Sequence, residues 1–343
     1  MINRVVIVGL GSIGSRHLRI ARQLLPESKI KIMRHKNFTE IPLQADGCIS
    51  TALEMKNFSP ELAIIANPAP FHVSSAGDLL AAGAHLLIEK PISNVSADLP
   101  KLILECKISG RILATGYNLR FSPSLRKFRE LLHAGIIGNI FSVRCEVGQN
   151  LADWRPGTNY RDGVTAQSKL GGGVLLELSH EIDYLRWIFG DVTWIRATLS
   201  KQGNFEIDVE DTAHMTIGFS TNDSERELIG TLNMDFVRMD QTRYCIAIGE
   251  SGSLEWNGVT GEVSIFLKAS NSKKLLYQHI PIRDETYIAE WEDILNAIEK
   301  SSNPFVSGED GLRVIEIIEA ARISSLTGAQ IDVKKSIHTI SVD

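Results

Sequence analysis

Near its start the chain reads Val5-Val6-Ile7-Val8-Gly9-Leu10-Gly11-Ser12-Ile13-Gly14, an apolar, β-branched run that passes straight into glycines at GxGxxG spacing. Such a run suits a buried strand, and the next stretch places Leu18, Ala21 and Leu25 on one helical face with Arg16, Arg19 and Arg22 mostly outside it. Strand, glycine turn and helix in that order constrain the fold far more than the glycines alone. Gly9 suits the tight turn, Gly11 lets backbone approach a pyrophosphate, and Gly14 lets the helix lie against the strand. Ser12 and Ile13 open the helix, where free amides and the dipole favour an anion. These five residues, Gly9, Gly11, Ser12, Ile13 and Gly14, are the first candidate contacts of a dinucleotide.

Residues 1–118 continue in that rhythm. Unbroken apolar runs at 5–8, 30–33, 62–66, 86–88 and 111–114 predict strands covered on both faces, hence a parallel sheet. Helices are expected near 14–25, 72–82 and 96–108, the last capped by Ser96. The rhythm breaks at Gly116-Tyr117-Asn118-Leu119-Arg120-Phe121, and Ser122-Pro123 then offers a cap and a first-turn proline for a new helix. Residues 119–343 behave differently. Ala213, Met215, Ile217 and Phe219 alternate with Thr212, His214, Thr216 and Gly218. Tyr244, Ile246 and Ile248 alternate with Cys245 and Ala247, and Val263, Ile265 and Leu267 repeat the pattern. Alternation predicts a largely antiparallel sheet with one covered face, the cover coming from helices near 174–189, 286–300 and 309–326. The fold class is thus an α/β Rossmann domain, 1–118, followed by an α+β domain, 119–343, with a large open-faced sheet.

Three places concentrate chemistry. The second strand ends in Met33-Arg34-His35-Lys36, with no carboxylate to hold a ribose 2′-hydroxyl; Arg34 and Lys36 suit a 2′-phosphate instead, favouring NADP over NAD. Ile88-Glu89-Lys90-Pro91 ends what this reading makes the fourth strand of the sheet, so Lys90 points to the ligand cleft, where a cation favours a substrate alkoxide. Glu89 either pairs with Lys90 or meets the cofactor. Gly171-Gly172-Gly173 opens a helix carrying Glu177, His180 and Asp183, three apart and so on one face. His180 is the side chain suited to moving a proton near neutrality, with Asp183 placed to orient it. No metal is expected, since HExxH and clustered Cys/His ligand spacings are absent from the sequence.

The formal net charge of −5 supplies no attraction for nucleic acid or an anionic membrane. No apolar stretch reaches the roughly 18–20 residues that span a bilayer, and a strand beginning near residue 4 leaves no room for a leader. Cys48, Cys106, Cys145 and Cys245 are dispersed and read as small apolar residues in a cytoplasmic protein.

Together the glycine turn, Asn67-Pro68-Ala69-Pro70-Phe71-His72, Ala81-Ala82-Gly83-Ala84-His85, Glu89-Lys90-Pro91, Gly116–Phe121, Gly171–Asp183 and Gly308-Glu309-Asp310-Gly311 resemble the Gfo/Idh/MocA oxidoreductases over nearly the whole chain. The resemblance implies NAD(P) and hydride exchange with a sugar, cyclitol or similar polyol. It implies Asn67, Pro68, His72, Glu89, Lys90 and Asn118 at the cofactor, Lys90 and His180 in catalysis, and homodimers or homotetramers formed through the sheet. The family usually carries an aspartate four residues before that histidine; Leu176 stands there, and Glu177 has the aspartate's distance from the glycines. The loop containing Trp154, Arg155, Tyr160 and Arg161 looks like a substrate loop of a subgroup linked to surface-sugar pathways. The alternative is a dinucleotide sensor or partner protein that keeps the fold without turnover.

Overall fold

The computed structural model describes residues 2–33, 41–154, 157–220 and 227–333. The chain divides into two compact units, one formed by Met1–Asn118 with Asp284–Ile315 and the other by Leu119–Arg283 with Glu316–Asp343.

In the first unit six strands, β1 (Arg4–Val8), β2 (Lys29–Met33), β3 (Gly47–Ile49), β4 (Leu62–Ile65), β5 (His85–Glu89) and β6 (Leu113–Gly116), pair in the order β3-β2-β1-β4-β5-β6. Every pairing is parallel. Val5, Val6, Ile7, Leu62, Ala63, Ile64 and Ile65 are fully buried, as strands covered on both faces require. Helices α1 (Ser12–Leu24), α2 (Ala52–Phe58), α3 (His72–Ala81) and α4 (Leu99–Ile108) supply the cover. The short β3 and α2 went unpredicted, so Glu89 ends the fifth strand in chain order and not the fourth. Three residues in a strand make no readable periodicity; the Thr51–Glu54 capping box before α2 is the signal that was there to use. Helix α4 begins at Leu99, not near Ser96, because Pro100 is accommodated only in a first turn.

The second unit holds α5 (Pro123–His133), α6 (Val174–Glu177) and α7 (His180–Phe189) with a nine-stranded sheet. Its strands are β7 (Ile140–Gly148), β8 (Val192–Ser200), β9 (Thr212–Phe219), β10 (Leu228–Asp235), β11 (Thr242–Gly249), β12 (Gly252–Asn257), β13 (Glu262–Leu267), β14 (Ser272–Gln278) and β15 (Ile331–Asp332). The order is β14-β13-β12-β11-β7-β10-β9-β8-β15, antiparallel except where β7 runs beside β10. One face is covered and one open. On β9 the faces fall as predicted, with Ala213, Met215, Ile217 and Phe219 buried. On β11 they are reversed: Cys245 and Ala247 are buried, while Tyr244, Ile246 and Ile248 lie half-exposed. Register explains the reversal, since Cys245 sits opposite Cys145 and Trp256, both buried. Tyr184 fills the space above them, its ring 5.4 Å from Trp256 and its hydroxyl 2.9 Å from Cys145 Sγ. Small side chains are what that layer accepts.

Two later helices are α8 (Glu285–Lys300) and α9 (Gly308–Thr327). The sequence reading laid α8 on the antiparallel sheet and gave all of 119–343 to the second domain; the structure corrects both. Trp291 and Ile294 of α8 belong to the apolar cluster of Val5, Ile7, Leu18, Ile30 and Ile64, and full burial of an indole there outweighs chain proximity.

Candidate active site

The glycine turn is built for close approach. Gly9 has φ +83°, and a Cβ there would lie 2.8 Å from the Ala66 carbonyl oxygen. A Cβ on Gly14 would collide with the Gly9 carbonyl, so α1 lies on the strand as the spacing predicts. Gly11 is the opposite case: nothing lies within 4 Å of an added Cβ, and as N-cap it offers no side chain to the first amides of α1. Open space in front of unsatisfied helix amides, at the carboxyl end of β1 where strand order reverses, fits a dinucleotide pyrophosphate. Arg34 and Lys36, the residues assigned to the 2′-phosphate, lie outside the described residues.

Around the ends of β4 and β5 the side chains are tightly committed. His72 is buried, with Nε2 2.6 Å from the Asn67 carbonyl and Nδ1 3.0 Å from the Pro91 carbonyl, so it ties the two strand-end turns together. Burial lowers its pKa from the ordinary imidazole value. Pro68 precedes a short 3-10 turn, Ala69–Phe71, and Asn67 donates to Ser75 Oγ at 3.0 Å. Asn118 is buried and donates to Thr286 Oγ1 at 2.7 Å. Glu89 is turned inward, its carboxylate meeting His17 Nε2 at 2.6 Å and the Lys90 backbone N–H at 3.0 Å. Both Glu89 oxygens thus have partners within this unit, one of them His17, a residue outside the motifs.

In the second unit the glycine run makes room for neighbours. A Cβ on Gly172 would lie 2.5 Å from the Val164 carbonyl, and one on Gly173, at φ +104°, would strike the Glu210 carboxylate. Glu210 accepts the Leu175 N–H at 3.2 Å, and burial pushes its carboxyl above the ordinary range. The predicted helix 174–189 is two helices: α6 stops at Glu177, and His180 begins α7. Glu177 and His180 therefore do not share a helical face. Leu178 leaves the helical region at φ −100°, ψ 23°, and α7 restarts from Ser179. His180 is buried, while Glu177 is partly exposed. Asp183 is bound by Arg120 through two hydrogen bonds, Nε to Oδ2 at 2.9 Å and Nη2 to Oδ1 at 2.6 Å, all buried. Glu181, fully buried, accepts from Arg243 Nε at 2.7 Å. Asp183 is thus one of two carboxylates that anchor α7 by fork-shaped partners.

The loop residues are spread. Trp154 packs on Phe236 at 5.5 Å, Tyr160 on Phe205 at 5.7 Å, and the exposed Arg161 is forked onto Glu206 at 2.9 Å twice. Arg155 lies outside the described residues. Arg120 stands in the Gly116–Phe121 motif with no role of its own, and Arg243 and Glu210 carry no signal because single charged residues far apart in the chain have no spacing pattern.

Residues 3–117 match a family model described as "Oxidoreductase family, NAD-binding Rossmann fold", and residues 125–255 match "GFO/IDH/MocA C-terminal domain". The chain belongs to the Gfo/Idh/MocA oxidoreductases. Among its relatives in that family, the rhizopine catabolism protein MocA of Rhizobium meliloti is 27% identical over 203 residues, 58% of this chain and 61% of that protein. Myo-inositol 2-dehydrogenase of Thermotoga maritima is 23% identical over 350 residues, 94% of this chain and 96% of that one. The fold matches that of a levoglucosan dehydrogenase solved in complex with NADH, with TM-score 0.83, 19% identity, 97% of this chain and 99% of that chain covered.

Proposed function

We propose that this family member exchanges a hydride between a nicotinamide dinucleotide and a carbinol carbon of a sugar, cyclitol or related polyol. The observation that carries the reading is shared geometry within one sheet: the glycine cradle leaves β1 and Lys90 leaves β5, both at carboxyl ends of parallel strands. The names of the inositol and levoglucosan dehydrogenases support a cyclic polyol as substrate class. Gly9, Gly11, Ser12, Ile13 and Gly14 hold the pyrophosphate, and the Asn67–His72 and Asn118 segments flank it. The bound nicotinamide supplies or accepts the hydride. Lys90 donates to the substrate oxygen and favours the alkoxide, and His180 takes the hydroxyl proton or returns it in reduction. The loop with Trp154, Tyr160 and Arg161, and Arg155 within it, contacts the substrate, with surface-sugar metabolism as the setting.

Within this reading NADP is preferred, supported by Arg34 and Lys36 directly after β2, which ends at Met33. The open sheet face, where Ile229 and Phe266 are exposed and Ile246 and Ile248 half-exposed, supports closed pairing of copies into a homodimer or homotetramer. The thiols are free, which supports a reducing, cytoplasmic setting, and among the described residues no helix is long and apolar enough to cross a membrane.

The test is a survey of polyols and their ketones with both cofactors, followed by Lys90→Met and His180→Ala on the fastest substrate. Each variant should lose about 10²–10⁴-fold in turnover with cofactor affinity retained. Near-normal turnover in either removes that residue from the chemistry, and cofactor binding without turnover across the panel favours the sensor. Arg34→Ala should weaken NADPH and spare NADH; equal loss of both refutes the NADP preference.

A further inference from the structure

We propose that Trp291 and His17 form a one-way hydrogen-bond relay that fixes the Glu89 carboxylate and, through it, the backbone of Lys90, making both positioning residues for that lysine. This rests on the role given to Lys90 above. Its direction follows from donor chemistry. An indole N–H can only donate, and Trp291 Nε1 lies 2.9 Å from His17 Nδ1. Nδ1 therefore presents its lone pair, and the single ring proton sits on Nε2. From there it is donated to Glu89 Oε1 at 2.6 Å, while Glu89 Oε2 accepts the Lys90 N–H at 3.0 Å. No other assignment satisfies all three bonds.

The surroundings hold the relay in place. Trp291 and His17 are 0% exposed and Glu89 4%, so a lost bond would not be replaced by bulk water. The Tyr287 ring stands edge-on to His17 at 5.9 Å, and Arg16 covers Tyr287 at 4.6 Å. On β6, Gly116 leaves the space that the Glu89 carboxyl occupies, since a Cβ there would lie 3.1 Å from Oε2. The neighbouring Glu290 is buried with neither carboxylate oxygen hydrogen-bonded, and burial and the Glu89 charge push its carboxyl well above the ordinary range.

Ligand atoms of His17, Glu89 and Glu290 lie within 4.8 Å of one another, the arrangement a cation would use. A tetrahedral ion at about 2 Å from each ligand would hold its ligands about 3.3 Å apart. His17 and Glu89 are instead in direct contact at 2.6 Å, the length of a charge-assisted hydrogen bond.

The experiment compares His17→Phe, His17→Gln and Trp291→Phe in the full chain. A glutamine Nε2 can still donate to Glu89; a phenylalanine cannot. His17→Phe should lower kcat about 100-fold, the scale of a small misplacement of a reacting group. KM and the NADH Kd should stay within about threefold of the parent, and His17→Gln should recover about tenfold or more. Trp291→Phe should fall between them. A glutamine variant no better than phenylalanine, unchanged kcat, or a loss seen only as weaker NADH binding overturns the relay. A second readout needs neither substrate nor a folded His17→Phe variant. In isotope-labelled native protein the His17 nitrogens should report a neutral ring protonated at Nε2, with Nδ1 shifting in Trp291→Phe. A charged ring, or one protonated at Nδ1, refutes the relay. Lys90→Met with full turnover would instead refute the role of Lys90 while leaving the nitrogen signature intact, which separates the two failures.

Discussion

The two units place their chemistry by different means. In the first, β-strands that are apolar on both faces fix the backbone, and three candidate groups sit where a strand stops: Gly9 after β1, Asn67 after β4, Lys90 after β5. Parallel register then brings these strand ends together without help from their side chains. In the second unit His180 lies in a helix on a one-sided sheet, and buried ion pairs hold that helix: Arg120 on Asp183 and Arg243 on Glu181. Position comes from backbone topology in one unit and from charge pairing in the other. In the first unit side chains refine a place that topology has already set, as Trp291, His17 and Glu89 do beside Lys90; in the second they hold the element itself.

The largest expected effect strikes the second mode. Asp183→Asn removes the buried charge onto which Arg120 is forked and should cost about 3–5 kcal/mol in urea unfolding. NADH affinity, which the proposed function assigns to the glycine cradle, should persist wherever the variant remains folded. Stability within about 0.5 kcal/mol of the parent would show that the pair anchors nothing and would collapse the contrast.

A smaller effect sharpens the contrast through pH. Glu290 of the first unit and Glu210 of the second both have carboxyls raised by burial, Glu290 also by the charge on Glu89. A carboxyl raised in the folded state favours folding fully below its ordinary value. That contribution is lost as pH climbs through the raised folded value. Glu290→Gln and Glu210→Gln should each flatten the fall in unfolding free energy as pH rises from the ordinary carboxylate range through the raised folded value. A slope identical to the parent's would mean that the carboxyl is ionised in the folded protein.

The smallest effect on stability should come from the open sheet face. Thr216→Lys puts a charge on the uncovered side of β9 and should split the proposed oligomer in light scattering while changing stability by about 0.5 kcal/mol or less. A parent mass equal to the chain's own 37.9 kDa would refute the assembly before any variant is made.

Much of the first unit is legible in the chain because its signals are local. A β-branched run, a glycine at φ +83° and a helix with one apolar face occupy neighbouring residues, so the cradle and the five longer strands can be read directly. The second sheet is legible as alternation but not as orientation. The pattern on β11 is the same whichever face is covered, and partners more than 90 residues upstream decided that the smaller Cys245 and Ala247 point inward. The unbroken helix expected over 174–189 failed for a comparable reason, since helical spacing does not reveal where Leu178 departs from it.

What the sequence determined by itself is therefore the set of groups whose geometry follows from adjacent residues: the strand–glycine–helix turn, the lysine at the end of a buried strand and the histidine after a glycine run. The tertiary structure decided which distant side chains hold those groups. Trp291 reaches His17 across 274 residues and Arg120 reaches Asp183 across 63. Burial makes each unmet polar group costly, so the fold selects these partners by space and hydrogen-bond complementarity, neither of which depends on separation along the chain.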